Sequence, residues 1–205
     1  MLKPLKNIPL NLVIESLSGN KIIPFNQEDK RDMKVLSTLI EVAKLAGKNV
    51  NKEGIKRPRP NEVGNDIEPF VMEALRHFGY RADKPETKGG KIKAAGYPDI
   101  EIIDEFNRIN YIECKTYNIE NISTTQRSFY LSPSEDFKIT KDGHHFVLSF
   151  EIYEERTIGS MHLYKCKKWK IISVDKLLVD VKYEFNSDNR RLYSKNLILA
   201  EGSIT

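Results

Sequence analysis

The sequence is poor in cysteine, in long apolar runs and in net charge. Its 205 residues include two cysteines, Cys114 and Cys166, which are too few for a disulfide framework or a zinc cluster, so we expect a reducing intracellular compartment. No apolar run approaches the roughly 18 residues that a membrane span needs. The N-terminus also lacks the apolar core and the small-residue cleavage site of a signal peptide.

The net charge of +4 is too small to establish a nucleic-acid partner, but its distribution is informative. Residues 1–60 hold 12 basic and 6 acidic side chains, residues 61–120 hold 8 and 12, and residues 121–205 hold 13 and 11. A locally acidic middle within a basic protein suits carboxylates that hold a metal inside a surface that attracts polyanions. The basic, proline-containing residues 48–60 are predicted to form an extended, exposed connector.

Hydrophobic periodicity predicts two helices in the first half of the chain. The first covers residues 27–46, where apolar side chains recur at helical spacing, and Gly47 follows as its C-cap. The second covers residues 66–78. Asn65 is its predicted N-cap, and Glu68 stands three positions later, which is the spacing of a capping box.

Segments rich in β-branched and aromatic residues predict a sheet in the second half. Strands are predicted over residues 99–103, 109–117, 145–153, 160–174 and 192–200. Turn residues at 104–108 predict that the first two pair as a hairpin, while residues 174–181 fit either a helix or a strand. Residues 118–142 are long for a passive connection and are predicted to be a functional loop with a short helix inside. This order indicates an α/β fold (α+β-like) with a central mixed sheet flanked by helices.

Three charged residues of the predicted hairpin have a clear chemical use. Because side chains alternate along a strand, Glu113 and Lys115 project from one face and Cys114 points into the core. Asp99, fourteen positions before Glu113, begins the neighbouring strand and is expected to lie close to it. Two carboxylates suit Mg²⁺ bound to a substrate phosphate, and an ammonium beside them can orient or help deprotonate an attacking water.

These residues resemble a known signature. Pro98-Asp99, a strand-turn-strand interval and then Glu113-Cys114-Lys115 are similar to the PD-(D/E)XK nuclease superfamily, whose pattern is Pro-Asp, a variable gap, then Asp or Glu, any residue, and Lys. Glu68 resembles the carboxylate that the preceding helix often adds to such sites. The resemblance covers residues 62–118 directly and the strands to about residue 174 loosely, in the core order α-β-β-β-α-β.

Among these nucleases, a small chain without a helicase or methyltransferase motif looks most like a type II restriction endonuclease. The resemblance implies a restriction-endonuclease-like core over residues 61–205, after an N-terminal helical extension and basic connector over residues 1–60, together forming one compact domain. It implies that Asp99, Glu113 and the backbone carbonyl of Cys114 bind Mg²⁺, for which Mn²⁺ substitutes. Asp99, Glu113 and Lys115 are then the predicted catalytic residues, with Glu68 as an auxiliary carboxylate.

The same resemblance implies the partners and the products. We expect a homodimer in the prokaryotic cytoplasm that cleaves both strands of DNA and leaves 5′-phosphate and 3′-hydroxyl ends. A cognate DNA methyltransferase is expected in the same host, though not as a stable complex.

Two polar loops beside the motif are candidates for DNA contact. The predicted DNA-binding residues are Lys88, Lys91, Lys93, Gln126, Arg127 and Ser128. Lysines neutralise phosphates, while glutamine and arginine can make paired hydrogen bonds to bases in the major groove. The alternative is that both loops are solvated polar surface.

Two other functions are compatible with the same residues. A structure-specific nuclease of the same superfamily, such as a junction resolvase or repair enzyme, and a nucleic-acid-binding module without catalysis both remain open. His144-His145 lacks the further ligands of a zinc or His-Asn-His nuclease site and is predicted to begin a strand. Gly89-Gly90-Lys91 lacks the upstream glycine of a P-loop. Cys114 is predicted to pack in the core rather than to act as a nucleophile.

Overall fold

The structure, a computed structural model, describes residues 5–93, 95–124, 127–181 and 185–204. The helices are α1 (Leu10–Ser18), α2 (Lys30–Glu53), α3 (Gly64–His77) and α4 (Asn189–Leu192), with 3₁₀ turns at Pro60–Glu62 and Ile119–Asn121. The strands are β1 (Ile8–Pro9), β2 (Ile55–Arg57), β3 (Ile100–Ile103), β4 (Ile109–Tyr117), β5 (Arg127–Leu131), β6 (Gly143–Ile158), β7 (Met161–Ser173), β8 (Leu178–Val181), β9 (Phe185–Asp188) and β10 (Ile198–Ser203). Within the described ranges, no helix has both the length and the apolar character to cross a membrane.

Helix α2 is longer than the sequence predicts. The carboxylate of Asp29 caps it by accepting the backbone N–H of Arg31 at 2.8 Å. The predicted end at Gly47 is wrong, since the helix continues to Glu53 and ends at Gly54, whose φ is +73°. Inside the helix Gly47 faces the side chain of Ile204, since a Cβ there would lie 1.8 Å from Cδ1 of that residue.

The predicted extended connector is therefore wrong for most of its length. Residues 48–53 are the last turns of α2, and β2 and a 3₁₀ turn occupy most of the remainder. The guanidinium of Arg57 donates from Nε and Nη2 to the two carboxylate oxygens of Asp66, at 2.5 and 2.6 Å. This paired contact ties β2 to the first turn of α3.

The central sheet is mixed, as predicted. Its order is β10-β7-β6-β4-β3, and β2 pairs with β7 as well. Strands β4 and β6 are parallel, while the other pairs are antiparallel. The observed order of elements differs at one point from the expected core order, α-β-β-β-α-β. The described residues of the crossover (residues 118–142), which joins the parallel strands, contain a 3₁₀ turn and β5 rather than a full helix.

Strand β7 lies inside the sheet. Its lysine-rich stretch, residues 165–170, has the composition of an exposed edge, yet it lies within the sheet. One side of β7 pairs with β6, and the other is covered by β2 along residues 162–164 and by β10 along residues 168–172. Because β2 and β10 come from distant parts of the chain, the local sequence carries no sign of this coverage.

Two apolar cores cover the two faces of the central sheet. Helices α2 and α3 pack on one face through residues that include Leu39, Ala43, Val71 and Leu75. The other face is covered by α1 and by a small sheet of order β1-β8-β9-β5. The predicted arrangement of a mixed sheet flanked by helices is thus confirmed, with the second small sheet as an addition.

Gly143 begins the parallel strand in a crowded position. It pairs with Ile109 of β4 on one side, while its N–H donates to the carbonyl of Lys21 and its carbonyl accepts the N–H of Ile23 on the other. A Cβ at this position would lie 2.7 Å from the carbonyl oxygen of Ile109. Since that oxygen belongs to the backbone of the hairpin, it cannot rotate away as a side chain could.

We expect Gly143→Ala to destabilise the protein by roughly 1–3 kcal/mol, because β4 or β6 must shift to relieve the overlap. Denaturant unfolding would measure the loss. Gly64→Ala is a matched control, since a Cβ there meets only Oγ1 of Thr116 at 3.5 Å, an ordinary contact. Equal stability of the two variants would contradict the crowding.

Candidate active site

The hairpin of β3 and β4 places Asp99 next to the Glu-Cys-Lys triplet. The register pairs Ile100 with Ile112, and the N–H of Asp99 donates to the carbonyl of Ile112 at 3.2 Å. The carboxylate of Asp99 then accepts the backbone N–H of Cys114 at 2.8 Å. The predicted approach of the two strands is confirmed, and Asp99 is fixed to the backbone of the strand that carries the other two motif residues.

Glu113 and Lys115 lie on one face of β4, as their alternation predicts. The Nζ atom of Lys115 donates to Oε1 of Glu113 at 2.5 Å. Cys114 points the other way and is buried in the core beneath α2 and α3. Burial, followed by the nearby carboxylates, raises the pKa of the Cys114 thiol well above its ordinary value. The expected packing role of Cys114 is therefore confirmed.

Asp99 sits in an environment that disfavours its charged form. Burial and then the charge of Glu113 raise the pKa of Asp99 to about 7, although Lys115, the N–H of Cys114 and Lys138 all act in the opposite direction. A carboxyl group with a pKa this far from its ordinary value is typical of a functional site. Any cation placed between the two carboxylates would relieve their repulsion.

Lys115 remains an ammonium. Burial by itself lowers the pKa of Lys115, but the carboxylates of Glu113 and Asp99 outweigh it, so that the pKa is raised. A lysine in this state donates hydrogen bonds and stabilises negative charge, whereas it is poorly suited to accept a proton. The structure thus favours one of the two roles that the sequence left open for this residue.

Glu68 belongs to the same site, and its predicted capping box is wrong. Helix α3 begins at Gly64, after Val63, and the N-cap makes no side-chain hydrogen bond. Asn65 is already inside the helix, so Glu68 has no cap to complete. Its carboxylate instead contacts Nζ of Lys84 at 3.0 Å.

A cleft of about 520 Å³ opens above these residues. Glu68, Asp99 and Lys115 line it together with Ser128 of β5 and Asn65 of α3. Glu113 does not line the cleft and lies beneath its surface, with only 5% of its area exposed. The structure therefore brings Glu68, Asp99 and Lys115 together around one opening, with Glu113 buried and bonded to Lys115.

The candidate DNA-contact residues fall in different places. Lys88 and Lys91 are exposed in the loop before Asp99. Lys93 is half-buried, and its ammonium contacts the carboxylate of Asp136 at 2.9 Å, which leaves it less available to a phosphate. Ser128 lines the cleft. Gln126 and the side chain of Arg127 lie outside the part of the chain that the structure describes.

Two lysines at the site were missed by the sequence analysis. Lys84 pairs with Glu68, and Lys138 reaches from the crossover to the backbone just before Asp99, where its Nζ donates to the carbonyls of Gly96 at 2.7 Å and Pro98 at 3.1 Å. The one local signal for Lys138 is its position between two apolar residues. Phe137 and Ile139 are both buried, and Lys138 is buried with them.

The two adjacent histidines serve the fold, as predicted. Nδ1 of His145 lies 2.7 Å from Oη of Tyr97, and burial lowers the pKa of His145 to about 3. His144 stacks on Phe146. Both histidines therefore pack in the protein interior at the start of β6. His145 also holds the segment that leads to Asp99, through its contact with Tyr97.

The residues present fit a hard divalent cation held with help from substrate. Oε2 of Glu113 is buried, and no described residue offers it a hydrogen bond, so one oxygen is free for a ligand. Among the described residues, however, no three His, Cys, Asp or Glu side chains cluster closely enough to hold a metal by themselves. Two carboxylates with a substrate phosphate and waters match Mg²⁺ better than a metal that needs a complete protein cage.

Comparison with known proteins identifies the family. Residues 4–196 match the type II restriction enzyme MjaV family. The protein named Type II restriction enzyme MjaV, from Methanocaldococcus jannaschii, is 41% identical over 216 residues, which span 98% of this chain and 91% of that protein. The chain therefore belongs to the type II restriction enzyme MjaV family. The enzyme class expected from the motif, a type II site-specific deoxyribonuclease, is confirmed.

A solved structure is also similar. The tetrameric restriction endonuclease SfiI, in a structure bound to cognate DNA, is 12% identical, with a TM-score of 0.43 over 72% of this chain and 67% of that one.

We expect Asp99→Asn to stabilise the metal-free protein above neutral pH. A carboxyl group whose pKa is raised by folding costs stability once it is ionised in the unfolded chain, and this cost grows from about pH 4 to about pH 7 and then stays constant. Three pKa units correspond to about 4 kcal/mol, an upper bound for the gain. The amide keeps an oxygen that can accept the N–H of Cys114.

Thermal unfolding of both proteins in chelator at pH 4.5 and pH 8 would measure this effect. The difference in Tm should be larger at pH 8. A variant that is less stable than the parent at pH 8 would contradict the buried repulsion between Asp99 and Glu113.

Proposed function

We propose that this enzyme is a Mg²⁺-dependent endonuclease that cleaves double-stranded DNA at a specific sequence and leaves 5′-phosphate and 3′-hydroxyl ends. The observation that carries this proposal is the convergence of Asp99, Glu113 and Lys115 at one cleft, in a chain of a type II restriction enzyme family. The arrangement agrees with the PD-(D/E)XK pattern in residue type, strand position and spacing.

Asp99 and Glu113 would hold the cation, with the backbone carbonyl of Cys114 as a further ligand. When bound, Mg²⁺ polarises the scissile phosphodiester, lowers the pKa of a water and offsets charge on the leaving oxygen. Mn²⁺ can substitute because it accepts the same oxygen ligands.

The protein side chains position the remaining reactants. The Lys115 ammonium donates to the attacking water and to the phosphate, where it offsets the negative charge of the transition state. As the water oxygen bonds to phosphorus, the attacking water gives up a proton to solvent, the bond from phosphorus to the 3′ oxygen breaks, and that oxygen takes up a proton from solvent. Glu68, held by Lys84 on the cleft wall, supplies an auxiliary carboxylate that can orient a water.

The DNA would run across the mouth of the cleft. Lys88 and Lys91 are exposed in the loop that precedes Asp99 and would neutralise backbone phosphates, while Ser128 lies on the cleft wall. Gln126 and Arg127 precede Ser128 in sequence and are the proposed contacts to bases. We also propose a homodimer, because a two-fold symmetric enzyme matches a two-fold symmetric site on duplex DNA. A methyltransferase of the same specificity would protect the host DNA.

We expect Asp99→Ala and Lys115→Ala each to reduce the rate of cleavage by at least a thousandfold, because one removes a cation ligand and the other a charge that stabilises the transition state. The measurement is single-turnover cleavage of a long plasmid in Mg²⁺, with sequencing of the fragment ends. Folding is checked by circular dichroism and DNA binding by gel shift in Ca²⁺.

Lys44→Ala is the matched control, since it removes an exposed lysine whose ammonium pairs with Glu41 on the same helix, α2. It should cleave like the parent. Parental rates in Asp99→Ala or Lys115→Ala would refute the site. Discrete fragments support sequence specificity, cleavage limited to branched DNA would indicate a resolvase, and metal-independent binding without products would indicate a binding module.

We expect the double variant Lys88→Ala/Lys91→Ala to bind all DNA sequences more weakly. If both lysines neutralise phosphates, the slope of log Kd against log salt should fall by about 2, because roughly one counterion is released for each phosphate neutralised. Fluorescence anisotropy in Ca²⁺ at several salt concentrations measures this slope. Lys93→Ala provides the comparison, since Lys93 is already paired with Asp136, and an unchanged slope in the double variant would exclude this loop from the interface.

A further inference from the structure

Lys138 is a buried cation that the motif does not explain. Only 4% of its surface is exposed, and its ammonium donates to the carbonyls of Gly96 and Pro98. These two carbonyls flank Tyr97, and Pro98 directly precedes Asp99. Lys138 therefore binds the backbone segment that leads to Asp99.

A neutral side chain could make these hydrogen bonds without the cost of burying a charge. Burial lowers the pKa of Lys138, and the carboxylates of Asp99, Glu113 and Glu68 partly offset this effect. Among the described residues, the hydrogen bonds of the Lys138 ammonium go to backbone carbonyls and not to a carboxylate, so its charge acts on the site through space. A buried charge contributes little to net stability. We therefore assign the charge of Lys138 a different role, which is its electrostatic effect on the neighbouring carboxylates.

The segment that leads to Asp99 is held from both sides. Tyr97 is fixed by the hydrogen bond of its hydroxyl to His145 and by an edge contact with the ring of Phe129. Lys138 fixes the carbonyls on either side of the same residue. With its backbone held in this way, the carboxylate of Asp99 can reach the N–H of Cys114.

We propose that Lys138 is a positioning residue of the nuclease. It holds the Gly96–Asp99 backbone and places a fixed positive charge behind the carboxylates, so that Asp99 remains bonded to Cys114 and faces the cleft. Lys138 does not touch the substrate. This inference rests on the proposed function, in which Asp99 is a ligand of the catalytic cation.

A second contact of the crossover, made by Asp136, allows an effect on DNA binding to be distinguished from an effect on the chemical step. Asp136, two residues before Lys138, accepts the backbone N–H of Gly89 at 2.9 Å and pairs with Lys93. Asp136 therefore holds the loop with the candidate DNA-contact lysines, while Lys138 holds Asp99. Removal of Asp136 should weaken DNA binding, and removal of Lys138 should slow the chemical step.

The test compares Lys138→Met, Lys138→Gln and Lys138→Arg in the full-length protein. We expect Met and Gln to lower the single-turnover cleavage rate at least tenfold, with the Kd for DNA in Ca²⁺ within threefold of the parent. Arg keeps the charge and the donors, so it should restore part of the rate. Lys141→Met, an exposed lysine of the same segment, is the control and should leave both quantities unchanged.

A second readout needs neither metal nor activity. The N–H of Cys114 donates to the Asp99 carboxylate, so its hydrogen exchange, followed by NMR in chelator, reports the position of that side chain. We expect at least tenfold faster exchange at Cys114 in Lys138→Met and Lys138→Gln, with amides of the β6–β7 pair unchanged. Asp136→Ala, which removes the acceptor of the Gly89 N–H, should instead raise the Kd for DNA and leave Cys114 protected.

Three results would overturn the role of Lys138: cleavage by both neutral variants within threefold of the parent, unchanged protection of Cys114, or loss of protection throughout the sheet, which would make Lys138 a purely structural residue. Failure of the underlying site is distinguishable. If Asp99→Ala cleaves normally, the proposed function is wrong. If Asp99→Ala is inactive while Lys138→Met is fully active, only the positioning role is wrong.

Discussion

The repulsion between Asp99 and Glu113 is the constraint around which the site is built. Folding buries Asp99 and places it near Glu113, and burial first, then the charge of Glu113, raises the pKa of Asp99 to about 7. The protein offsets the repulsion only in part, with an ammonium in contact with Glu113, a backbone N–H bonded to Asp99 and a second ammonium behind it. A cation would relieve the repulsion that remains, and a local loss of stability of this kind is common where residues are arranged for function rather than for packing.

The hairpin that creates this repulsion is anchored at both of its ends. At the turn, the Arg108 guanidinium contacts Asp104 at 2.8 Å and Asp32 of α2 at 2.5 Å, and both carboxylates are buried. At the open end, the Asp99 carboxylate accepts the N–H of Cys114. A slip of one residue would turn Glu113 and Lys115 into the opposite core. These two anchors therefore fix which face of β4 meets the cleft.

The sequence was sufficient for those features that depend on neighbours along the chain. The hairpin follows from its turn residues and alternation, and Glu113 and Lys115 share a face because strands have a period of two. The failures depend on partners far away in sequence. Gly47 lies inside α2, where Ile204 from far along the chain packs beside it, and the helix ends at Gly54 instead. The capping box at Asn65 failed because α3 begins earlier, at Gly64, beside Thr116 of β4.

The two lysines of the site show why one was found and the other missed. Lys115 contacts the carboxylate of Glu113, two residues away, so the motif that contains Lys115 also contains its partner. The pKa of Lys115 is raised. Lys138 contacts backbone carbonyls about 40 residues earlier, and burial lowers its pKa. Every residue has a backbone carbonyl, so the residue types at positions 96 and 98 give no indication of a contact with Lys138. A lysine that acts on a backbone is visible only once the fold has brought the crossover against the strand that it serves.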